Sequence, residues 1–282
     1  MKRKNNPNKP SGRPFTTKPP VKGGARELEI PKEWRPVIGT HAIKEALQVR
    51  PHMAKVLWLR QGWESSSDLR EIQELAFKEK VKIETKPESV VDRFGSSHQG
   101  AVVFMNGAPT LSLEGLEGFE KSILLILDGI EDPHNLGAIL RTSWLVGVNG
   151  VFVPEDRAVG LTPTVHKVAC GGAEHVPVVE TTSFANYAED LKKMGYWVYG
   201  LSPRGTKSIF DLQLPEKVVW AIGSEDKGMR VTTERLCDEL VYIPQSSAAA
   251  SYNASVATAM ALTETLRQHT GSGSRKKSAE NK

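Results

Sequence analysis

Short apolar runs pace the second half of the chain, at residues 123–127, 151–153, 178–179, 197–199, 218–222 and 240–243. They are apolar at consecutive positions rather than alternate ones, as strands buried on both faces must be. Segments of helical periodicity separate most of them. Strands of this kind, alternating with helices, have one common solution: a mainly parallel sheet covered by helices on both sides. The expected class is α/β.

Residues 36–105 carry a smaller pattern of their own. Ala42, Ile43, Ala46 and Leu47 recur at helical spacing, 54–59 reads as a strand, and Leu69, Ile72, Leu75 and Ala76 mark a second helix. The cluster Ser65-Ser-Ser-Asp68 offers that helix its N-cap. Residues 81–83 and 101–105 read as further strands of a small α/β domain. Residues 106–120, with Gly107, Pro109, Gly115 and Gly118, read as a linker to the larger domain at 121–268.

Both ends read as disordered tails, 1–30 and 269–282. Lys2, Arg3, Lys4, Lys9, Arg13, Lys18, Lys22 and Arg26 all precede the first acidic residue, Glu27. Such arms suit a polyanion, whose counterions they release, or serve only solubility. No run reaches the roughly 18 apolar residues of a membrane span, and the basic start lacks an apolar leader core. Cys170 and Cys237 make no disulfide framework and no CxxC pair, which fits a reducing cytoplasm. His41, His98 and His134 match no ligand spacing, so no metal is expected. Neither a Walker A sequence nor GxGxxG is present, which removes support for nucleotide hydrolysis and dinucleotide redox chemistry.

In parallel sheets ligands sit beyond the carboxyl ends of the strands. The loops after Leu127, Ile222 and Ile243 are therefore the places to look. The first runs from Asp128 into a helix expected to start near His134 or Asn135, with Asn135 a candidate cap. Arg141 follows six residues later, nearly two turns on, and is expected on roughly the same side. Its guanidinium suits a phosphate, or a plain pairing with Asp128 or Asp132. The second loop, Gly223-Ser-Glu-Asp-Lys-Gly228, offers close backbone approach and one carboxylate, Glu225. The third holds Ser251, Asn253 and Ser255 at the entrance to a helix expected through Gln268. Each loop by itself also has an ordinary structural reading, as a cap or a tight turn.

Together and in this order, the three segments resemble the three motifs of the SpoU/TrmH (SPOUT) family of RNA 2′-O-methyltransferases. Leu161-Thr-Pro-Thr164, Val168-Ala-Cys-Gly-Gly-Ala-Glu174 and Cys237-Asp-Glu-Leu240 resemble its bacterial branch that methylates a guanosine ribose in large-subunit (23S) rRNA. Gly39-Thr-His-Ala42 and His98-Gln-Gly100 resemble that branch's L30e-like RNA-binding domain. The resemblance covers residues 36–268. It implies a parallel sheet whose C-terminal segment forms a trefoil knot, S-adenosylmethionine as methyl donor, rRNA as substrate, and a homodimer that completes the site.

Carried over, Gly223, Ile243 and Tyr252 would line the adenosylmethionine pocket. Asn135, Arg141, Glu225, Ser251 and Asn253 would form the catalytic constellation. An arginine does not deprotonate in proteins, so Arg141 is expected to act as an electrostatic clamp rather than a literal base. The third motif departs from the family pattern: Gln245 stands for Met, Ser247 for Gly, Tyr252 for Leu and Ala254 for Val. Tyr252 puts a large ring at the expected adenine edge, where it either stacks or narrows the pocket. Alternatives are methylation of tRNA or another rRNA site, and a catalytically silent RNA-binding or ribosome-assembly factor on the same scaffold.

Overall fold

The computed structural model describes residues 30–95, 97–247 and 250–279. The expected N-terminal tail, apart from Ile30, lies outside the described residues, as do 280–282. The first half is built from β1 (Trp34–Ile38), α1 (Thr40–Val49), β2 (Ala54–Arg60), α2 (Ser67–Lys78), β3 (Lys82–Lys86), α3 (Glu88–Val91) and β4 (Ala101–Asn106). Its sheet has the order β1-β4-β2-β3, antiparallel except for the β2–β3 pair.

The helical spacing read from the sequence is the buried stripe. Ala42, Ile43, Ala46 and Leu47 of α1 and Leu69, Ile72 and Ala76 of α2 share one core with Val37, Leu57, Leu59, Val103 and Met105. Ser66, within the expected cluster, caps α2 by accepting from the Leu69 amide at 3.5 Å. Strand β1 was not expected, because Arg35 and Pro36 interrupt its apolar run. It survives as an edge strand paired only to β4, a position that tolerates proline.

The segment 106–120 is not a bare linker. It contains α4 (Leu113–Glu117), capped by the Ser112 hydroxyl, which accepts from the Gly115 amide at 3.1 Å. Leu116 is fully buried with Leu124 and Phe152, so burial outweighs the local glycines.

The second half contains β5 (Ser122–Asp128), α5 (Pro133–Val146), β6 (Gly150–Pro154), α6 (Pro163–Ala169), α7 (Gly172–His175), β7 (Val178–Thr181), α8 (Ala185–Lys193), β8 (Trp197–Leu201), β9 (Lys207–Ser208), β10 (Lys217–Gly223), α9 (Val231–Glu234), β11 (Glu239–Tyr242) and α10 (Ala254–Ala279). The sheet order is β7-β6-β5-β10-β8-β11-β9. Every pairing among its described strands is parallel, as the consecutive apolar runs require.

All seven residues of β5 are buried, with one core on each face of the sheet. The strand order reverses between β5 and β10, whose last residues, Asp128 and Gly223, are register partners. That is the crevice where such sheets bind ligands. Helix α5 starts at Pro133, not at His134 or Asn135, and its cap is Asp132, which accepts from the His134 amide at 2.9 Å. Proline pre-sets the first-turn dihedral and has no amide to leave unpaired. Helix α10 continues to Ala279, past the expected end at Gln268.

Candidate active site

At the end of β10 the chain turns back so tightly that a Cβ on Gly223 would lie 2.1 Å from the Gly228 carbonyl carbon and from the Met229 nitrogen. Both obstacles are backbone, so this glycine is required by the protein's own chain crossing. The turn closes with the Gly228 amide donating to the Ser224 carbonyl at 2.9 Å, and Gly228 itself has φ of 67°. It is tethered to β5 by Asp128, whose buried carboxylate accepts from the Arg230 amide at 2.7 Å and from Arg230 Nε at 2.6 Å. The Arg230 guanidinium also lies over the Phe184 ring, 5.7 Å from its centroid.

This tether delivers Glu225 to the start of α10. Glu225 Oε1 accepts from Asn135 Nδ2 at 2.9 Å, from the Ala254 amide at 3.3 Å, and from Asn253 Nδ2. Asn253 Nδ2 also donates to Asn135 Oδ1 at 3.0 Å. Asn253 Oδ1 caps α10, accepting from the amide and hydroxyl of Ser255 at 2.9 and 2.6 Å. Three loops far apart in sequence are thus joined by one network, with the carboxylate at a helix N-terminus, where its charge is favoured.

Beside the network is a cavity of about 470 Å³, whose wall includes Gly223, Glu225, Ile243, Ser251 and Tyr252. A second hollow of about 250 Å³ shares the 224–227 turn and is lined by Asn135 and Asp132. Tyr252 is part of the wall of the larger cavity. Its hydroxyl donates to the Pro244 carbonyl at 3.1 Å.

Arg141 is placed elsewhere. Six residues turn a helix by about 600°, which leaves Arg141 about 120° around α5 from Asn135 rather than on the same side. Arg141 is exposed, lines neither hollow, and donates Nη1 to Cys170 Sγ at 3.6 Å. The alternative partners are engaged differently: Asp128 holds Arg230, and Asp132 caps α5 and contacts His134 Nδ1 at 3.1 Å. The His134 amide holds the Asp132 carboxyl below its ordinary range. Arg230 carries no sequence signal as a contributor to this region, while Asp128 reads there only as a partner for Arg141 and Cys170 only as part of a family segment. Cys170 lies between Ala169 and a Gly-Gly pair and takes up a left-handed φ of 49°.

Residues 122–263 match the family model described as SpoU rRNA Methylase family, and residues 36–110 match that described as RNA 2'-O ribose methyltransferase substrate binding. The chain is 39% identical to the 23S rRNA (guanosine-2'-O-)-methyltransferase RlmB of Neisseria meningitidis serogroup B, over 83% of this chain and 95% of the relative. It is 38% identical to the RlmB of Pseudomonas aeruginosa, over 84% of this chain and 98% of the relative. In fold it is similar to the SpoU methyltransferase AviRb from Streptomyces viridochromogenes, solved in complex with AdoMet. The TM-score is 0.73 at 23% identity, covering 84% of this chain and 91% of that one. The chain belongs to the SpoU rRNA Methylase family.

Proposed function

We propose that this protein transfers a methyl group from S-adenosylmethionine to the ribose 2′-hydroxyl of a guanosine in 23S rRNA. The observation that carries the reading is the Asn135–Glu225–Asn253 network standing against a ligand-sized cavity at the sheet's reversal point. The two RlmB relatives, matched over nearly their whole length, support the choice of substrate.

The cavity suits the methyl donor. Ile222, Met229 and Ile243 supply apolar wall, and the polar lining carries both signs of charge, Glu225, Asp226 and Glu234 with Arg204 and Lys227, of which Glu234 is paired with Arg204. Gly223, Ile243 and Tyr252 are the residues that would hold it. Bound S-adenosylmethionine supplies a methyl group already activated by positive charge, so the protein's task is alignment. Glu225, Asn135 and Asn253 hold the two motif loops and the start of α10 in register, and Ser251 presents a hydroxyl on the cavity wall.

Arg141 serves as the clamp that favours negative charge on the ribose oxygen and steadies an RNA phosphate. A homodimer in which Arg141 reaches the partner's cavity accounts for its place outside the cavity of its own chain. Residues 36–105 serve as the L30e-like RNA-binding domain and 121–268 as the methyltransferase domain. The C-terminal segment is read as a trefoil knot. Support comes from β11, inserted between β8 and the earlier β9, and from Gly205, whose Cβ would lie 2.4 Å from the Val241 carbonyl carbon. Among the described residues no helix is long and apolar enough to cross a membrane; the proposed action on rRNA supports a cytoplasmic location.

The test is incubation with labelled S-adenosylmethionine and either 23S rRNA or tRNA. Label on 23S rRNA, lost in Arg141→Ala, is the expected outcome. Label on tRNA alone would keep the chemistry and overturn the substrate. No label, with no binding of the donor, would make the protein a silent RNA-binding factor.

A further inference from the structure

Glu174 lies on α7, away from the cavity wall, with 1% of its side chain exposed. Both of its oxygens are engaged by the four-stranded half. Arg35 of β1 donates Nη1 to Oε1 at 2.6 Å and Nη2 to Oε2 at 2.9 Å. Arg50, at the end of α1, donates to Oε2 at 3.4 Å. Arg35 Nη2 also donates to the Gly107 carbonyl just beyond β4 at 3.1 Å, and Arg35 Nη1 lies 2.7 Å from Nε2 of the buried His166 on α6. One carboxylate therefore gathers two arginines from the first half, one on a strand and one at a helix end.

The surrounding surfaces are fitted to each other. A Cβ on Gly171 would lie 2.6 Å from Glu45 Cβ of α1, so only glycine lets α1 approach this closely. His175 Nε2 lies 3.0 Å from Glu45 Oε2. The same short stretch carries Cys170, which receives Arg141. Residues 166–175 thus touch β1 and α1 on one side and the candidate clamp on the other.

We propose that Glu174 is a positioning residue for methyl transfer: it locks the RNA-contacting half onto α6 and α7, and so sets the reach between RNA held on that half and the reacting ribose. The proposal rests on the functional reading above. A bidentate arginine–carboxylate pair fixes orientation as well as distance, and burial removes the water that would let it slip. A target ribose is then presented best when its RNA also engages the first half at the set span.

The experiment compares Glu174→Gln with wild type on two substrates carrying the same guanosine: a 23S rRNA fragment long enough to cover both halves, and a minimal hairpin. Glu174→Gln is expected to lower kcat/KM at least tenfold on the long fragment, mainly through KM, and less than twofold on the hairpin. Calorimetric affinity for S-adenosylmethionine stays within twofold. Arg35→Lys, which keeps the charge and loses the fork, shifts the long-to-hairpin ratio the same way by a smaller factor. Arg50→Gln removes only the 3.4 Å arm, and repeats the comparison with less demand on folding. Equal loss on both RNAs, unchanged kinetics on both, or weakened donor binding overturns the proposal. A wild type that methylates neither RNA overturns the functional reading, and this proposal with it.

Discussion

Replacing Asp128 with alanine removes the tether that sets the 223–230 turn, and the structure allows the loss to be sized. The carboxylate is 1% exposed and accepts two hydrogen bonds from Arg230, one from the backbone amide and one from Nε. A hydrogen bond to a charged group contributes about 1.5–3 kcal/mol. The Arg230 side chain is 44% exposed, so its arm is discounted to the surface-pair range, below about 1 kcal/mol. The buried amide bond then dominates, and Asp128→Ala is expected to lose about 2–3 kcal/mol in urea denaturation. Asp128→Asn keeps one acceptor for the amide but turns its NH2 toward Arg230 Nε, losing that arm as well as the charge, so about 1–2 kcal/mol is expected.

Because this turn carries Glu225 and part of the cavity wall, its loosening should also reach the ligand. A cost of about 1.4 kcal/mol for reordering the turn on binding raises the S-adenosylmethionine Kd about tenfold in Asp128→Ala, read by calorimetry. A stability loss below about 0.5 kcal/mol, with donor affinity unchanged, would refute the tether.

Gly223→Ala places a methyl group against two backbone atoms at 2.1 Å, and is expected to lose about 1–3 kcal/mol or more by thermal melting, together with donor binding. Tyr252→Phe loses one exposed hydrogen bond to Pro244, and a change in donor Kd beyond about tenfold would contradict its place in the wall rather than at the ligand's centre. Burial, and then the charge of Arg35, holds the His166 imidazole well below its ordinary value of 6.5. The unfolded chain therefore binds a proton below pH 6.5 that the folded chain refuses, and stability falls on acidification by up to about 1.4 kcal/mol per pH unit. Urea denaturation between pH 7 and pH 5.5 should show this slope, and His166→Phe should flatten it.

The strands of the large sheet were legible because a parallel strand buried on both faces writes itself as consecutive apolar residues, as in β5 and β10. Strand β1 was hidden by Arg35 and Pro36, and its partner β4 lies about 70 residues away, beyond any local pattern. Helix α4 was hidden by glycines whose neighbours Leu113 and Leu116 bury against β5 and β6.

At the site, the three loops were found from strand ends, but Asn135, Glu225 and Asn253 each had an adequate local explanation. Their convergence is a property of the folded chain, 90 and 118 residues apart along it. Asp128 read as a partner for Arg141, and the fold gives it to Arg230 instead. Six residues read as near-integer turns put Arg141 on the Asn135 side of α5, but the remainder of about 120° decides the face.

The most direct measurement is nucleoside mass spectrometry of 23S rRNA after reaction with the wild-type protein and with Glu225→Gln, using S-adenosylmethionine as donor. The expected product is a single 2′-O-methylguanosine, reduced at least tenfold in Glu225→Gln. Methylation on a base, or full 2′-O-methylation by the variant, would contradict the assignment of the Asn135–Glu225–Asn253 network to the reacting centre.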